Sequence, residues 1–360
     1  MRFGIWSPTN PRDGVSLVDL YRQQIEEVQV AEACGFDHIW FYEHHVSPSG
    51  PMPSPNLMIA AASSVTSRIR LGSMVNILPY RNPLLLAEEA AMLDTLTNGR
   101  LDWGVGRGLK PLEFGAFCVP QARSREMFVE HMAIAKRVWA DENFEFHGAY
   151  FHVNKQTSLS PPCVQSPHPP LYVSAQSEES LRWAAQNDAH FCQIDALIEE
   201  AARDQAFYRD IQTASGHRPA PRLVITREIY VAPTMAQARE EAQPWLQRYW
   251  ALWHRYAQLT EEGQMPDAYE TWRQRAPMLA KMGFEELNER GLIMVGTPDH
   301  VAQRILDHAE RLDLAALACV FKFGGMPMAQ LLRSMRLFSE AVMPQVKASM
   351  QRKAAALNAA

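Results

Sequence analysis

The 360-residue sequence contains no run of 18 consecutive apolar residues, so no membrane-spanning helix is expected. Basic clusters are also missing. The 35 Lys and Arg are scattered among 40 Asp and Glu, for a formal charge of -5. That balance lacks the electrostatic footprint that nucleic acid requires. Cysteine is scarce: Cys34, Cys118, Cys163, Cys192 and Cys319 lie far apart, and no CxxC pair occurs. An odd, dispersed set suits reduced thiols rather than a disulfide framework, and each is read as a small buried apolar residue. The opening "MRFGIWSPTN" lacks the basic, apolar, small-residue layout of a secretion signal and reads as a first strand. A cytoplasmic protein is the expectation, with neither membrane nor nucleic acid as partner.

What is present is an ordinary globular composition, 47% hydrophobic and 21% charged, in a chain long enough for a substantial core. Apolar runs alternate with helical patterns. Strands are expected over 2–6, 37–43, 69–78, 100–106, 169–175, 189–195, 222–232 and 314–324. Helices are expected between them, started by Ser16 with Asp19, by Ser177, by Thr234 with Gln237, and by Thr297 before Pro298. Residues 143–153 alternate around a glycine and read as a hairpin outside the repeat. Eight strand–helix units predict an α/β fold, a (β/α)₈ TIM barrel with an insertion at about 256–291 before the eighth strand. An open doubly wound sheet is the alternative. With no linker, short repeat or low-complexity run, 1–344 is read as one domain and 345–360 as a C-terminal tail.

On a barrel, chemistry belongs at the carboxyl ends of strands. Glu43-His44-His45 follows the second strand, Asn76 lies in the third, Gly106-Arg107-Gly108-Leu109 follows the fourth, and Ala175-Gln176-Ser177 follows the fifth. Adjacent strand residues point to opposite faces, so His44 and His45 do not converge on one ion. "EHH" is also not a zincin spacing, and no metal site is assigned. The two histidines are instead expected to differ, one facing a pocket and one packed sideways. "GVGRG" fails the dinucleotide fingerprint, because Leu109 stands where the third glycine belongs. Arg107 and the helix start at Ser177 could together hold a phosphate, although a plain turn and a plain helix cap explain them equally.

Several stretches together resemble the bacterial luciferase family of flavin-dependent monooxygenases: "GFDHIWFYEHH", "RIRLGSMVNILPYRNPLLLAEEAAMLDTLTNGRLDWGVGRGL", "PHPPLYVSAQSEESLRWAA", "GTPDHVAQRI" and "SMRLFSEAVMP". The resemblance spans residues 1 to about 344. It implies a barrel that binds reduced FMN at its carboxyl-terminal face. Arg107, Ser177 and Ser180 match the phosphate-binding positions, and Met74–Val75 the place of a non-proline cis peptide under the flavin ring. His44 matches the histidine that assists peroxyflavin chemistry, with His45 beside it, and Glu88 matches a subunit-pairing face. The cofactor-binding set implied is therefore Met74, Val75, Asn76, Gly106, Arg107, Leu109, Ala175, Gln176, Ser177 and Ser180. Two positions depart from the luciferase catalytic subunit: Gly106 replaces a cysteine, and Gln176 a carboxylate. Both weigh against light emission.

The activity so implied is a two-component monooxygenase. A separate flavin reductase supplies reduced FMN, and O₂ gives a C4a-peroxyflavin that oxygenates a small, apolar organic substrate. The insertion is a candidate lid, marked by Gly263 and Gly283, and a homodimer is expected. A deazaflavin-dependent hydride-transfer enzyme and a non-catalytic luciferase-like subunit are the alternatives. The work of Glu43 stays open between orienting a histidine and capping backbone.

Overall fold

A strand buried on both faces has no polar side to show water, and its sequence is a near-continuous apolar run. Leu223–Val231 is such a strand, buried at all nine positions. In the computed structural model, which describes residues 1–46, 50–140, 143–156, 160–258 and 269–359, it is one stave of a closed parallel barrel. The strands are β1 (Arg2–Ser7), β2 (His38–Phe41), β3 (Arg70–Ser73), β4 (Asn76–Ile77), β5 (Leu101–Gly106), β6 (Phe144–His147), β7 (His152–Gln156), β8 (Leu171–Ser174), β9 (His190–Gln193), β10 (Leu223–Val231), β11 (Ile293–Gly296) and β12 (Leu314–Val320). The barrel runs β1-β2-β3-β5-β8-β9-β10-β12 and closes by β12 pairing with β1. The eight expected strands are its eight staves, so the open-sheet alternative does not apply.

Three features differ from expectation. The third strand is two pieces, interrupted by the cis Met74–Val75 peptide, and β4 continues on β5. A further strand, β11, pairs in parallel with the end of β10, outside the barrel order. It is four residues long, too short for periodicity to announce. The segment expected as a tail belongs to the last helix, Met343–Ala359, where Val346 is completely buried. The hairpin β6–β7 forms apart from the barrel, as its alternation predicted.

The helical layer consists of α1 (Leu17–Ala33), α2 (Pro55–Ser63), α3 (Pro83–Leu96), α4 (Pro111–Ala116), α5 (Ser124–Ala140), α6 (Glu178–Gln186), α7 (Ile198–Ala214), α8 (Met235–Gln258), α9 (Glu270–Lys281), α10 (Phe284–Glu289), α11 (Pro298–Arg311), α12 (Met328–Leu337) and α13 (Met343–Ala359). Local chemistry sets their starts. Ser16 accepts from the Asp19 N–H, Thr297 from His300 and Ser177 from Ser180, each satisfying a donor that the first turn leaves free. On α11, Val301, Ala302, Ile305 and His308 make the buried stripe; each large apolar side chain so buried contributes about 1.5–3 kcal/mol. Of the expected insertion, residues 259–268, including Gly263, lie outside the described residues; 256–258 end α8, and α9 and α10 form most of the rest. No helix among the described residues is long and apolar enough to cross a membrane.

Inside the barrel, Trp40 reaches Tyr172 across two intervening strands, with ring centroids 5.7 Å apart. His38 stacks on Trp40 at 4.8 Å, and His190 on Tyr172 at 4.5 Å. These rings fill the interior near the strand starts. The cavity is left to the carboxyl ends.

Candidate active site

One end of the cavity is built for an anion. After β5 the chain turns through Arg107 and Gly108, whose φ of +87° is the left-handed region where glycine carries no steric penalty. At the start of α6 the Ser177 and Ser180 hydroxyls are 3.0 Å apart. An Arg125 Nη from α5 donates to the Ser180 hydroxyl at 2.5 Å, and Arg125 Nε is 3.1 Å from Glu179. Burial, and then the nearby Arg107 charge, bring the Arg125 pKa down to about 10, which still leaves it cationic at neutral pH. The Arg107 guanidinium stacks over the Tyr269 ring at 4.9 Å. Tyr269 in turn donates to the Gly108 carbonyl and lies 3.1 Å from the Ser124 hydroxyl. Two guanidinium groups, two hydroxyls and a helix start therefore converge, the donor set that suits a phosphate dianion.

Apolar surface makes up most of the remaining wall. Trp6, Tyr42, Met74, Val75, Ile77, Leu109 and Tyr249 line it. The Trp6 indole donates to the Met74 carbonyl at 3.2 Å, which braces the cis Met74–Val75 peptide from below. A Cβ at Gly106 would come within 2.5 Å of the Val75 side chain. Glycine therefore keeps the floor flat where β4 and β5 meet.

His44 and His45 lie beyond the end of β2 at Phe41, so strand alternation does not apply to them, yet the two side chains do part. His44 lines the cavity; its Nδ1 donates to Glu113 Oε1 at 3.0 Å. Because a carboxylate only accepts, the proton is on Nδ1, and the neutral ring keeps Nε2 as an acceptor. Burial, then Lys110, hold the His44 pKa below its ordinary value, against the opposing pull of Glu113. Burial raises the Glu113 carboxyl, but the His44 bond, Lys110 and the His45 N–H outweigh it and leave the pKa lowered. His45 turns away, edge-on to Phe117 at 4.8 Å, with its Nε2 donating to Glu43 Oε1 at 2.9 Å. Glu43 also accepts from Asn76 Nδ2 at 2.9 Å and from Arg81 Nε at 3.2 Å. That is the role left open in the sequence: a buried carboxylate at the cavity wall tying three side chains together.

Of the residues implied by resemblance, His44, Met74, Val75, Gly106, Arg107, Leu109, Gln176, Ser177 and Ser180 border one cavity. Asn76 and Ala175 do not. Asn76 is spent on Glu43, and Ala175 is fully buried with its N–H on the Cys192 carbonyl. Sequence reasoning missed Arg125, Glu113 and Arg275. Arg275, on α9, donates to Gln176 Oε1 at 2.6 Å and pairs with Glu200 at 3.0 Å, which fixes part of the insertion over the anion end. A basic residue at the first turn of α5 was the one signal available for Arg125; nothing in sequence marks the other two.

Comparison with known proteins bears on the family and the fold. The sequence profile of the luciferase-like monooxygenases matches residues 1–314. An uncharacterized protein of Sinorhizobium fredii is 30% identical over 94% of this chain and 96% of its own length. The oxygenase component of the flavin-dependent trigonelline monooxygenase of Acinetobacter baylyi is 32% identical over 62% of each chain. Among solved structures, the monooxygenase RslO1 of Streptomyces bottropensis superposes with a TM-score of 0.80 at 27% identity, covering 96% of this chain and 99% of that one. The oxygenating constituent of Pseudomonas putida 3,6-diketocamphane monooxygenase, solved with FMN, shares the fold at TM-score 0.81 and 23% identity, covering 96% and 98%. An F420-dependent secondary alcohol dehydrogenase shares it at 0.72 and 18%, covering 96% and 98%.

Proposed function

The chain belongs to the luciferase-like monooxygenase family, and from that premise we propose that it binds reduced FMN in this cavity and uses O₂ to oxygenate a small, largely apolar organic substrate. The observation that carries the reading is the convergence of Arg107, Ser177 and Ser180 at one end of a cavity whose wall also holds His44, with Arg125 bonded to the Ser180 hydroxyl. The residues fit the cofactor: four donors for the phosphate, and a floor at Gly106 where any Cβ would protrude into Val75. Reduced FMN, when bound, supplies the electrons that activate O₂.

The chain's own part is to bind, orient and exclude water. Arg107 and Arg125 would neutralise the phosphate and so hold the cofactor at that end of the cavity. Trp6, Met74 and Val75 give the ring an apolar bed, and the surrounding aromatic wall keeps water away from the reacting atoms. His44, neutral and held by Glu113, offers Nε2 to accept a proton in the cavity and return it. A separate reductase is the electron supplier in this reading, supported by the relative that is the oxygenase component of its system.

Pairing of two copies through α2 and α3 is part of the proposal. Leu85 and Met92, seven residues apart on α3, are more than half exposed, as is Leu57 on α2, while Glu88 lies between them half-buried. Light scattering on the purified chain tests it; a monomer at micromolar concentration rejects it.

Titration of the purified protein with reduced FMN, oxidised FMN and a reduced deazaflavin tests the cofactor. Preference for reduced FMN, followed by O₂-dependent product formation, is expected. Preference for the deazaflavin would turn the reading to hydride transfer, and no affinity for any of the three would end both.

A further inference from the structure

Arg107, Arg125 and Ser177 each have a sequence neighbour held by α9, a helix of the expected insertion. Tyr269, at the head of α9, donates its hydroxyl proton to the carbonyl of Gly108, the residue after Arg107, at 3.1 Å. The same phenol oxygen lies 3.1 Å from the hydroxyl of Ser124, the residue before Arg125. Since the phenol proton goes to Gly108, Ser124 is the donor there. Further along α9, Arg275 donates to Oε1 of Gln176, the residue before Ser177, at 2.6 Å, and pairs with Glu200 at 3.0 Å. One helix therefore holds the β5 turn, the start of α5 and the start of α6 together.

Tyr269 grips Arg107 in two ways. Its ring centroid is 4.9 Å from the Arg107 guanidinium carbon, and its hydroxyl holds the next carbonyl along the chain, at the left-handed Gly108. A guanidinium stacked on a ring gives up its face and keeps its N–H groups in the plane, where a phosphate can accept from them. Arg275 is used differently: 3% exposed, it turns its donors to Gln176, the Ile194 carbonyl and Glu200. Tyr269 and Arg107 line the same cavity. Packing alone would be met by a phenylalanine, because a buried hydroxyl is costly unless it is bonded. Here both the proton and the oxygen of the phenol are engaged, each beside an arginine in sequence.

We propose that Tyr269 is a positioning residue for the phosphate, holding Arg107 and the Gly108 turn so that the cavity takes a phosphorylated flavin in preference to the dephosphorylated one. This rests on the flavin reading and deepens it: the insertion, and not the barrel alone, sets selectivity for a phosphate monoester. The physical reason is order. A long arginine side chain loses rotamer freedom when it engages an anion, and a side chain already held loses less. The effect is confined to the phosphate. Riboflavin carries the same ring and ribityl chain without that group, so its binding does not depend on how Arg107 is held.

Anaerobic titration of the purified full chain with reduced FMN and with reduced riboflavin tests the assignment. In Tyr269→Leu the Kd for reduced FMN should rise about tenfold while that for riboflavin stays within about threefold, so the preference for FMN falls. Tyr269→Phe keeps the ring and the packing but loses both hydroxyl bonds, and should lower the preference about threefold. In an Arg107→Ala background, Tyr269→Leu should leave the preference unchanged, because the side chain it positions is gone. A preference untouched in the folded Tyr269 variants, or shifted as much without Arg107 as with it, would overturn the proposal and leave Tyr269 a packing residue. The two readings fail separately: wild-type protein that binds neither flavin ends both, whereas FMN binding with a preference indifferent to Tyr269 ends this one alone.

Discussion

His44 Nδ1 and Glu113 Oε1, 69 residues apart in sequence, lie 3.0 Å apart across the rim of the cavity. The same carboxylate oxygen accepts from the His45 backbone N–H, so one side chain on the short α4 fixes both histidines. Removing it in Glu113→Ala should lower turnover about tenfold or more while leaving reduced-FMN affinity within a few-fold, because general acid–base work depends on a held ring. Glu113→Gln keeps an acceptor but loses a charge that raises the His44 pKa. The acid limb of its kcat profile should therefore move to lower pH. An unchanged profile in both variants would show that His44 does not titrate in turnover.

At the anion end, Arg125 is the test of the donor set. A hydrogen bond to a charged group contributes about 1.5–3 kcal/mol, so Arg125→Ala should raise the Kd for reduced FMN about 10- to 100-fold. Arg125→Lys restores the charge without the planar fork and should recover part of that loss. Equal affinity for riboflavin and FMN in the wild-type protein would show that no phosphate binds there.

Stability should fall in mild acid. His131, His190 and His308 are buried, and burial brings each pKa down to about 3. An unfolded histidine titrates near 6.5, so between pH 6.5 and 3 the unfolded chain holds the extra proton and is favoured as pH falls. Each group contributes about 1.4 kcal/mol per pH unit in that window. Urea midpoints at pH 7 and pH 5 measure the slope. His131→Leu removes one third of it if the three act alike, since neither His131 nitrogen has a hydrogen-bond partner among the described residues.

Two glycines should respond oppositely to alanine. At Gly108 the left-handed φ of +87° costs a Cβ about 1–2 kcal/mol, and the new atom would stand 3.0 Å from Ile77 and from the Tyr80 hydroxyl. Gly108→Ala should lower Tm and weaken reduced-FMN binding through its neighbour Arg107. Gly115, within α4, has open space around its Cβ position. Gly115→Ala should stabilise by about 0.5–1 kcal/mol through helix propensity. Differential scanning calorimetry separates the two, and equal shifts would refute the backbone argument at Gly108.

Much of the site was legible because it stands at strand ends. His44, Arg107 and Ser177 each follow an apolar run that only a buried parallel strand explains, and a barrel gathers such ends on one face. The caps at Ser16, Ser177 and Thr297 were legible because a cap bond spans three residues. Arg125 bonding Ser180, 55 residues away, and Arg275 bonding Gln176, 99 away, have no local signature. Asn76 was misplaced for the same reason: its strand position suited a cavity wall, but the partner that claimed its amide is 33 residues earlier.

Sequence alone determined the eight staves and their order, because periodicity is a local property of the chain. Only the tertiary structure decided what each ionisable side chain does. Glu43 became an anchor and Glu113 a positioning group. Charge, burial and hydrogen-bond partners depend on which distant residues the closed barrel brings alongside, and a carboxylate's chemistry is set by those neighbours.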